Sequence, residues 1–114
     1  AILTGSRAPI SDLDTLPFPA RDLFNMQHYS PLPNQYKRLP LFHLTAIRGC
    51  PFSCSYCSNN AIYGKKIRAK SPARLIEELE HLIKDYGARD ISFWDDTLTI
   101  NKKWLKEVCH LINL

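Results

Sequence analysis

Residues 41–57 read Leu41-Phe42-His43-Leu44-Thr45-Ala46-Ile47-Arg48-Gly49-Cys50-Pro51-Phe52-Ser53-Cys54-Ser55-Tyr56-Cys57. The first seven are nearly continuously apolar, a length that suits a strand buried on both faces in a parallel sheet better than a helix. From Arg48 the composition turns polar, and residues 48–70 read as a loop carrying three cysteines. Ser71-Pro72 then starts a helix, because serine can cap and proline is preorganised at the first helical position. Leu75, Ile76, Leu79, Leu82, Ile83 and Tyr86 follow at helical spacing, and Gly87 is a stop. Residues 90–94 read as a second strand, expected to lie parallel to and beside 41–47. Asn101 caps a last helix with Trp104, Leu105, Val108, Leu111 and Ile112 on one face. The order strand, loop, helix, strand, loop, helix predicts an α/β fold with a parallel sheet. Two strands alone cannot cover two helices and both sheet faces, so the chain reads as a piece of a larger α/β protein.

Upstream of Leu41 the character changes. Six of the eight prolines (Pro9, Pro17, Pro19, Pro31, Pro33 and Pro40) fall in the first 40 residues, which rules out a continuous helix or central strand there. One helical turn is expected around 20–25. The rest of residues 1–40 reads as an extended linker, and its length marks a boundary with residues 41–114.

The whole chain has 114 residues, 45% of them hydrophobic, which excludes global disorder. Fifteen Lys and Arg against 11 Asp and Glu give a net charge of +4. That excess is small and includes no long basic run, so no nucleic-acid partner is expected. No apolar run approaches the ~20 residues of a membrane span, and no secretory signal opens the chain. Three crowded thiols without secretory features make a poor disulfide framework, so a reducing, cytoplasmic setting is expected. Lys65, Lys66, Arg68, Lys70 and Arg74 form a basic cluster. It reads as a solvated loop and first helical turn; the functional alternative is an anionic ligand or an acidic face of another domain.

Cys50, Cys54 and Cys57 place three soft ligands on one loop, a set suited to zinc, copper(I) or an iron–sulfur cluster. Structural zinc wants a closed tetrahedral site, and no nearby Cys or His completes one. Cys109 falls beside Val108 and Ile112 and reads as a small buried apolar residue. The four histidines (His28, His43, His81, His110) read as surface or packed residues. A cluster with three protein ligands keeps one metal position open, as catalysis requires. The loop follows the carboxyl end of the first strand, where α/β folds place active sites. Asp95 and Asp96 follow the second strand and should meet it at the same rim; their bland reading is loop and cap chemistry before Asn101.

The Cys50–Cys54–Cys57 spacing, with Tyr56 before the last cysteine, resembles the signature of the radical S-adenosylmethionine (radical SAM) superfamily. Further likeness lies in residues 12–24, Arg48-Gly49-Cys50-Pro51-Phe52, Ser58-Asn59, Arg68 with Ser71-Pro72, and Phe93-Trp94-Asp95-Asp96-Thr97-Leu98-Thr99. These are similar to the cobalamin-binding subgroup and the linker before its radical domain. The resemblance implies the first two βα units of a partial TIM-type (β/α)6 barrel. It assigns Cys50, Cys54 and Cys57 to a 4Fe-4S cluster whose fourth iron chelates S-adenosylmethionine. Reductive cleavage then gives a 5′-deoxyadenosyl radical, used in cobalamin-dependent methyl transfer or related C–H chemistry on a small molecule. Tyr56 is implied near the adenine, Asp95 or Asp96 near the methionine amino group, and Gly49 at the turn into the loop. This sequence lacks the glycine-rich form of the motif after the second strand. Cobalamin itself, bound by another domain, and an electron donor such as flavodoxin or ferredoxin are the remaining implied partners. The resemblance also implies that these 114 residues alone are inactive. Two other readings stay open. One is an RNA methylthiotransferase, against which the cysteine-free arm counts; the other is a non-enzymatic zinc module.

Overall fold

The computed structural model describes residues 2, 4, 5 and 7–113. Its centre is the pair β1 (Leu41–Leu44) and β4 (Asp90–Phe93), parallel and in register from Leu41 opposite Asp90 to Leu44 opposite Phe93. Trp94 N–H donates to Leu44 O at 2.9 Å and extends the ladder by one rung. Between them run β2 (Ile47–Arg48), α1 (Asn59–Tyr63), β3 (Arg68–Ala69) and α2 (Pro72–Tyr86); α3 (Lys102–Ile112) follows β4.

The long helices begin and end where their sequences dictate. Ser71 Oγ accepts from Arg74 N–H, with Pro72 in the first turn. Gly87, at φ 64°, takes the left-handed cap and donates to Ile83 and Leu82 carbonyls. Asn101 Oδ1 caps α3 by accepting from Trp104 N–H at 3.1 Å. Phe42 and Leu44 of β1 meet Leu75 and Leu82 of α2 and Trp104 and Val108 of α3 in one buried cluster. Trp104 also donates its indole N–H to Lys70 O at 2.8 Å, fixing α3 across the start of α2.

Four expectations need correction, the basic cluster among them. The apolar run 41–47 is not one strand: β1 ends at Leu44, and Ile47–Arg48 pair instead with Arg68–Ala69 in an antiparallel ladder. The break is made by the Ala46 and Ile47 N–H groups, which turn to the Asp95 carboxylate rather than to a neighbouring strand. Residues 48–70 are therefore not a plain loop, since they contain β2's end, α1 and β3. Cys109 is exposed. Trp104 and Val108 hold the core-facing stripe of α3, and Cys109 lies a further 100° round the helix.

The proline-rich segment upstream of β1 forms three 3₁₀ turns, Leu13–Thr15, Arg21–Leu23 and Met26–His28. It is tied down at many points. Leu13 is buried, Asp14 Oδ1 accepts from Ser71 N–H at 2.8 Å, and Asp90 Oδ2 accepts from Lys37 N–H at 2.6 Å. The basic cluster does much of this tying, so most of it is not a solvated face. Arg68 is buried and donates to the carbonyls of Ile10 and Tyr63. Arg74 donates to Leu16 O and lies 3.8 Å over the Phe18 ring. Glu78, 1% exposed on α2, accepts from both Lys70 and Arg21. Glu78 lies between Leu75 and Leu82 on the buried face of α2.

Candidate metal centre

The cysteine loop is an excursion closed at its neck. Below the neck, β2 pairs with β3 and Lys70 N–H donates to Ala46 O at 2.9 Å. At the neck itself, Cys50 N–H donates to Gly64 O at 3.2 Å. Gly49 makes the closure possible. It is buried at φ 96°, and a Cβ there would lie 2.2 Å from Lys66 O. Only a residue without a side chain fits such a gap at such an angle.

The three thiols are free, Cys50 half-buried and Cys54 and Cys57 exposed, with residues 51–58 all exposed to solvent. Cys57 N–H donates to Cys54 O at 3.1 Å, which folds the second half of the motif into a turn. Asn60 Nδ2 donates to Phe52 O at 2.8 Å and Lys65 Nζ to Ser53 Oγ at 2.8 Å, pinning the loop from its far side. Among the described residues no three His, Cys, Asp or Glu side chains are already gathered as a metal cage. The loop brings the thiols to one rim; a metal centre would have to draw them together.

A soft, three-thiolate donor set fits an iron–sulfur cluster with one open position. A buried polar side chain two residues past Cys57 fits as well. Asn59 N–H lies 3.5 Å from Cys57 Sγ, and the same residue's Nδ2 is buried with no partner among the described residues. Sequence reading used Asn59 only as part of a resemblance; a lone asparagine after the third cysteine gives no signal of burial.

The loop after β4 meets the neck. Asp95, half-buried, accepts from Ala46 N–H at 2.9 Å and also from Ile47 N–H. Thr97 Oγ1 lies 3.5 Å from Gly49 O. Burial pushes the Asp95 carboxyl above the usual aspartate range and Asp96 adds repulsion, while the two amide donors and Lys70 pull it back. Asp96 is exposed, and Tyr56 is 91% exposed beside the last cysteine. The structure thus brings Gly49, Cys50 and Asp95 to one neck and leaves Tyr56 and Asp96 open to solvent. On the opposite side of the sheet from the helices, the His43 and Trp94 rings lie 4.4 Å apart.

Comparison with known proteins places this segment in a family. The family model described as the radical SAM superfamily matches residues 44–114, the segment running from the end of β1 through α3. An uncharacterised methyltransferase of Pyrococcus horikoshii is 40% identical over 97 residues, 85% of this chain and 20% of that protein. An anaerobic magnesium-protoporphyrin IX monomethyl ester cyclase of Rubrivivax gelatinosus is 30% identical over 109 residues, 95% of this chain and 19% of that protein. A cytidylyl-2-hydroxyethylphosphonate methyltransferase of Streptomyces wedmorensis is 26% identical over 113 residues, 92% of this chain and 21% of that protein. The chain thus spans about a fifth of the length of these curated relatives. No solved structure matches it. With the family model covering well over half of its length and the cysteine loop set at the sheet's rim, the chain belongs to the radical SAM superfamily.

Proposed function

We propose that this chain carries the cluster-binding part of a radical SAM methyltransferase. Membership in the superfamily implies a 4Fe-4S cluster and S-adenosylmethionine. The observation that carries the finer reading is the neck: β2, β3, Gly49 and Asp95 present three free thiols at the carboxyl end of a parallel strand pair. Cys50, Cys54 and Cys57 are the cluster ligands in this reading. When bound, the cluster supplies the one-electron reduction that cleaves S-adenosylmethionine and starts radical chemistry on substrate.

The chain's own residues orient and shield. Gly49 lets the backbone turn closely enough to seat Cys50 at the neck. Asp95 is taken up by the Ala46 and Ile47 amides and holds the two rims together. Asp96 would then be the carboxylate that meets the methionine amino group, and Tyr56 would lie against the adenine; both are exposed. In this reading residues 41–114 are the first two βα units of a (β/α)6 barrel and residues 1–40 are the linker before it. Cobalamin, held by a part of the longer protein outside these residues, carries the methyl group, and flavodoxin or ferredoxin supplies the electron. The relatives named methyltransferases support methyl transfer, and the relative named a cyclase favours ring closure as the second reading. The substrate is a small molecule and the setting cytoplasmic; among the described residues no helix is long and apolar enough to cross a membrane.

The test is anaerobic reconstitution with iron and sulfide, followed by electron paramagnetic resonance of the reduced protein with and without S-adenosylmethionine. The expected signal needs Cys54, is lost in Cys54→Ala, and changes when S-adenosylmethionine is added. A stable cluster indifferent to S-adenosylmethionine would remove the radical mechanism. Zinc held in place of any cluster would leave a structural module instead.

A further inference from the structure

We infer that the side-chain amide of Asn59 donates a hydrogen bond to the sulfur cage held by Cys50, Cys54 and Cys57, and thereby raises its reduction potential. This rests on the reading of those thiols as cluster ligands. Asn59 opens α1 two residues past Cys57, and its backbone N–H is already 3.5 Å from Cys57 Sγ. Residues 51–58 are all exposed, yet Asn59 is only 8% exposed. Its Nδ2 is sealed from solvent and lacks a partner among the described residues.

A buried donor left unpaired carries a desolvation penalty that an apolar group of the same shape does not. Such a group at the foot of a ligand loop is therefore waiting for an acceptor. Thiolate and sulfide sulfur are electron-rich acceptors without donors of their own. A donor placed on them stabilises the extra electron of the reduced state, and hydrogen bonds to sulfur are among the levers that set cluster potentials. The next residue makes a useful contrast. Asn60 spends its Nδ2 on Phe52 O, and its orphaned atom is Oδ1, an acceptor that sulfur cannot satisfy.

The experiment compares wild type, Asn59→Leu and Asn59→Gln after anaerobic reconstitution with iron and sulfide. Electron paramagnetic resonance reads the reduced fraction across a series of fixed solution potentials. Where the wild-type cluster is half reduced, the reduced-to-oxidised ratio should fall about tenfold in Asn59→Leu, or 59 mV for one electron. Asn59→Gln, which keeps the donor, should recover most of the loss. Without iron, Asn59→Leu should melt at or above the wild-type temperature, because an unpaired buried donor has been removed. Equal potentials in wild type and Asn59→Leu overturn the inference and leave the cluster assignment standing. A lower cluster-free melting temperature with unchanged potential also overturns it, giving Asn59 to packing alone. A folded Asn59→Leu that holds no cluster supports the inference if Asn59→Gln restores binding, and overturns it if not. A wild-type chain that assembles no cluster overturns the three-cysteine reading itself.

Discussion

The two ends of β4 carry the same device under different conditions. At its first residue, Asp90 Oδ2 accepts from the backbone N–H groups of Lys37 and Arg38. Just past its last, Asp95 accepts from those of Ala46 and Ile47. Each carboxylate therefore gathers two amides from a segment about fifty residues away in sequence. Their acidities move in opposite directions. The Lys37 amide holds Asp90 below the usual aspartate range, helped by Arg38 and by the Lys37 charge. Asp95 is pushed up, because burial outweighs the amides. Paired amide donors thus prevail at Asp90, where desolvation is the lesser cause, and fail to compensate at Asp95, where it is the greater. The Asp90 end fastens the proline-rich segment, whereas the Asp95 end fastens the neck of the cysteine loop.

The contrast predicts that the neck end tolerates far less change. The largest effect belongs to Gly49→Ala, which sets a Cβ against Lys66 O at an angle that side chains rarely adopt. A loss of about 3–5 kcal/mol in urea unfolding is expected from strain and overpacking together. A loss under about 1 kcal/mol would show that the neck yields as easily as the Asp90 end. Next comes Asp95→Leu, which strands the Ala46 and Ile47 amides on two buried residues. About 2–3 kcal/mol is expected, with faster amide exchange confined to residues 46 and 47 and the neck.

The smallest effect is the most diagnostic. In Asp90→Asn, the stability difference from wild type should be full above the ordinary aspartate range. It should disappear as pH falls through the lowered folded value. For Asp95 the sign reverses. The folded chain keeps this proton to higher pH than the unfolded chain does, so wild type should lose ground to Asp95→Asn as pH rises. The loss starts at the ordinary value and ends at the raised one. Parallel pH profiles for the two variants would break the comparison.

How much of this was legible in sequence follows from how far apart the interacting residues lie. Local signals were sufficient for α2 and α3, because Ser71, Gly87 and Asn101 declare the ends within one turn. The three-thiol spacing and Gly49 were also local, and the parallel pairing of 41–44 with 90–93 followed from element order. The end of β1 was not readable, because Thr45-Ala46-Ile47 continues the apolar run and the break is imposed by Asp95, 49 residues on from Ala46. Helix α1 was hidden by its brevity and by Asn59-Asn60, poor helix formers held by contacts to the cysteine loop. Arg68 and Arg74 looked solvated because their carbonyl partners, Ile10 and Leu16, lie 58 residues away. Asp95 and Asp96 looked alike on the page, and only burial and partners separate them.

The closed neck has a further consequence for how such a protein can be altered. The loop enters at Cys50 and leaves at Gly64, where one backbone hydrogen bond sets its two stems side by side. Ring-closure entropy rises only with the logarithm of length, about 0.6 kcal/mol for each doubling. The stretch from Pro51 to Tyr63 is thus a cassette. Its length can change at little entropic cost, provided that Gly49, the β2–β3 ladder and the contacts of Asn59 and Asn60 remain to clasp the loop.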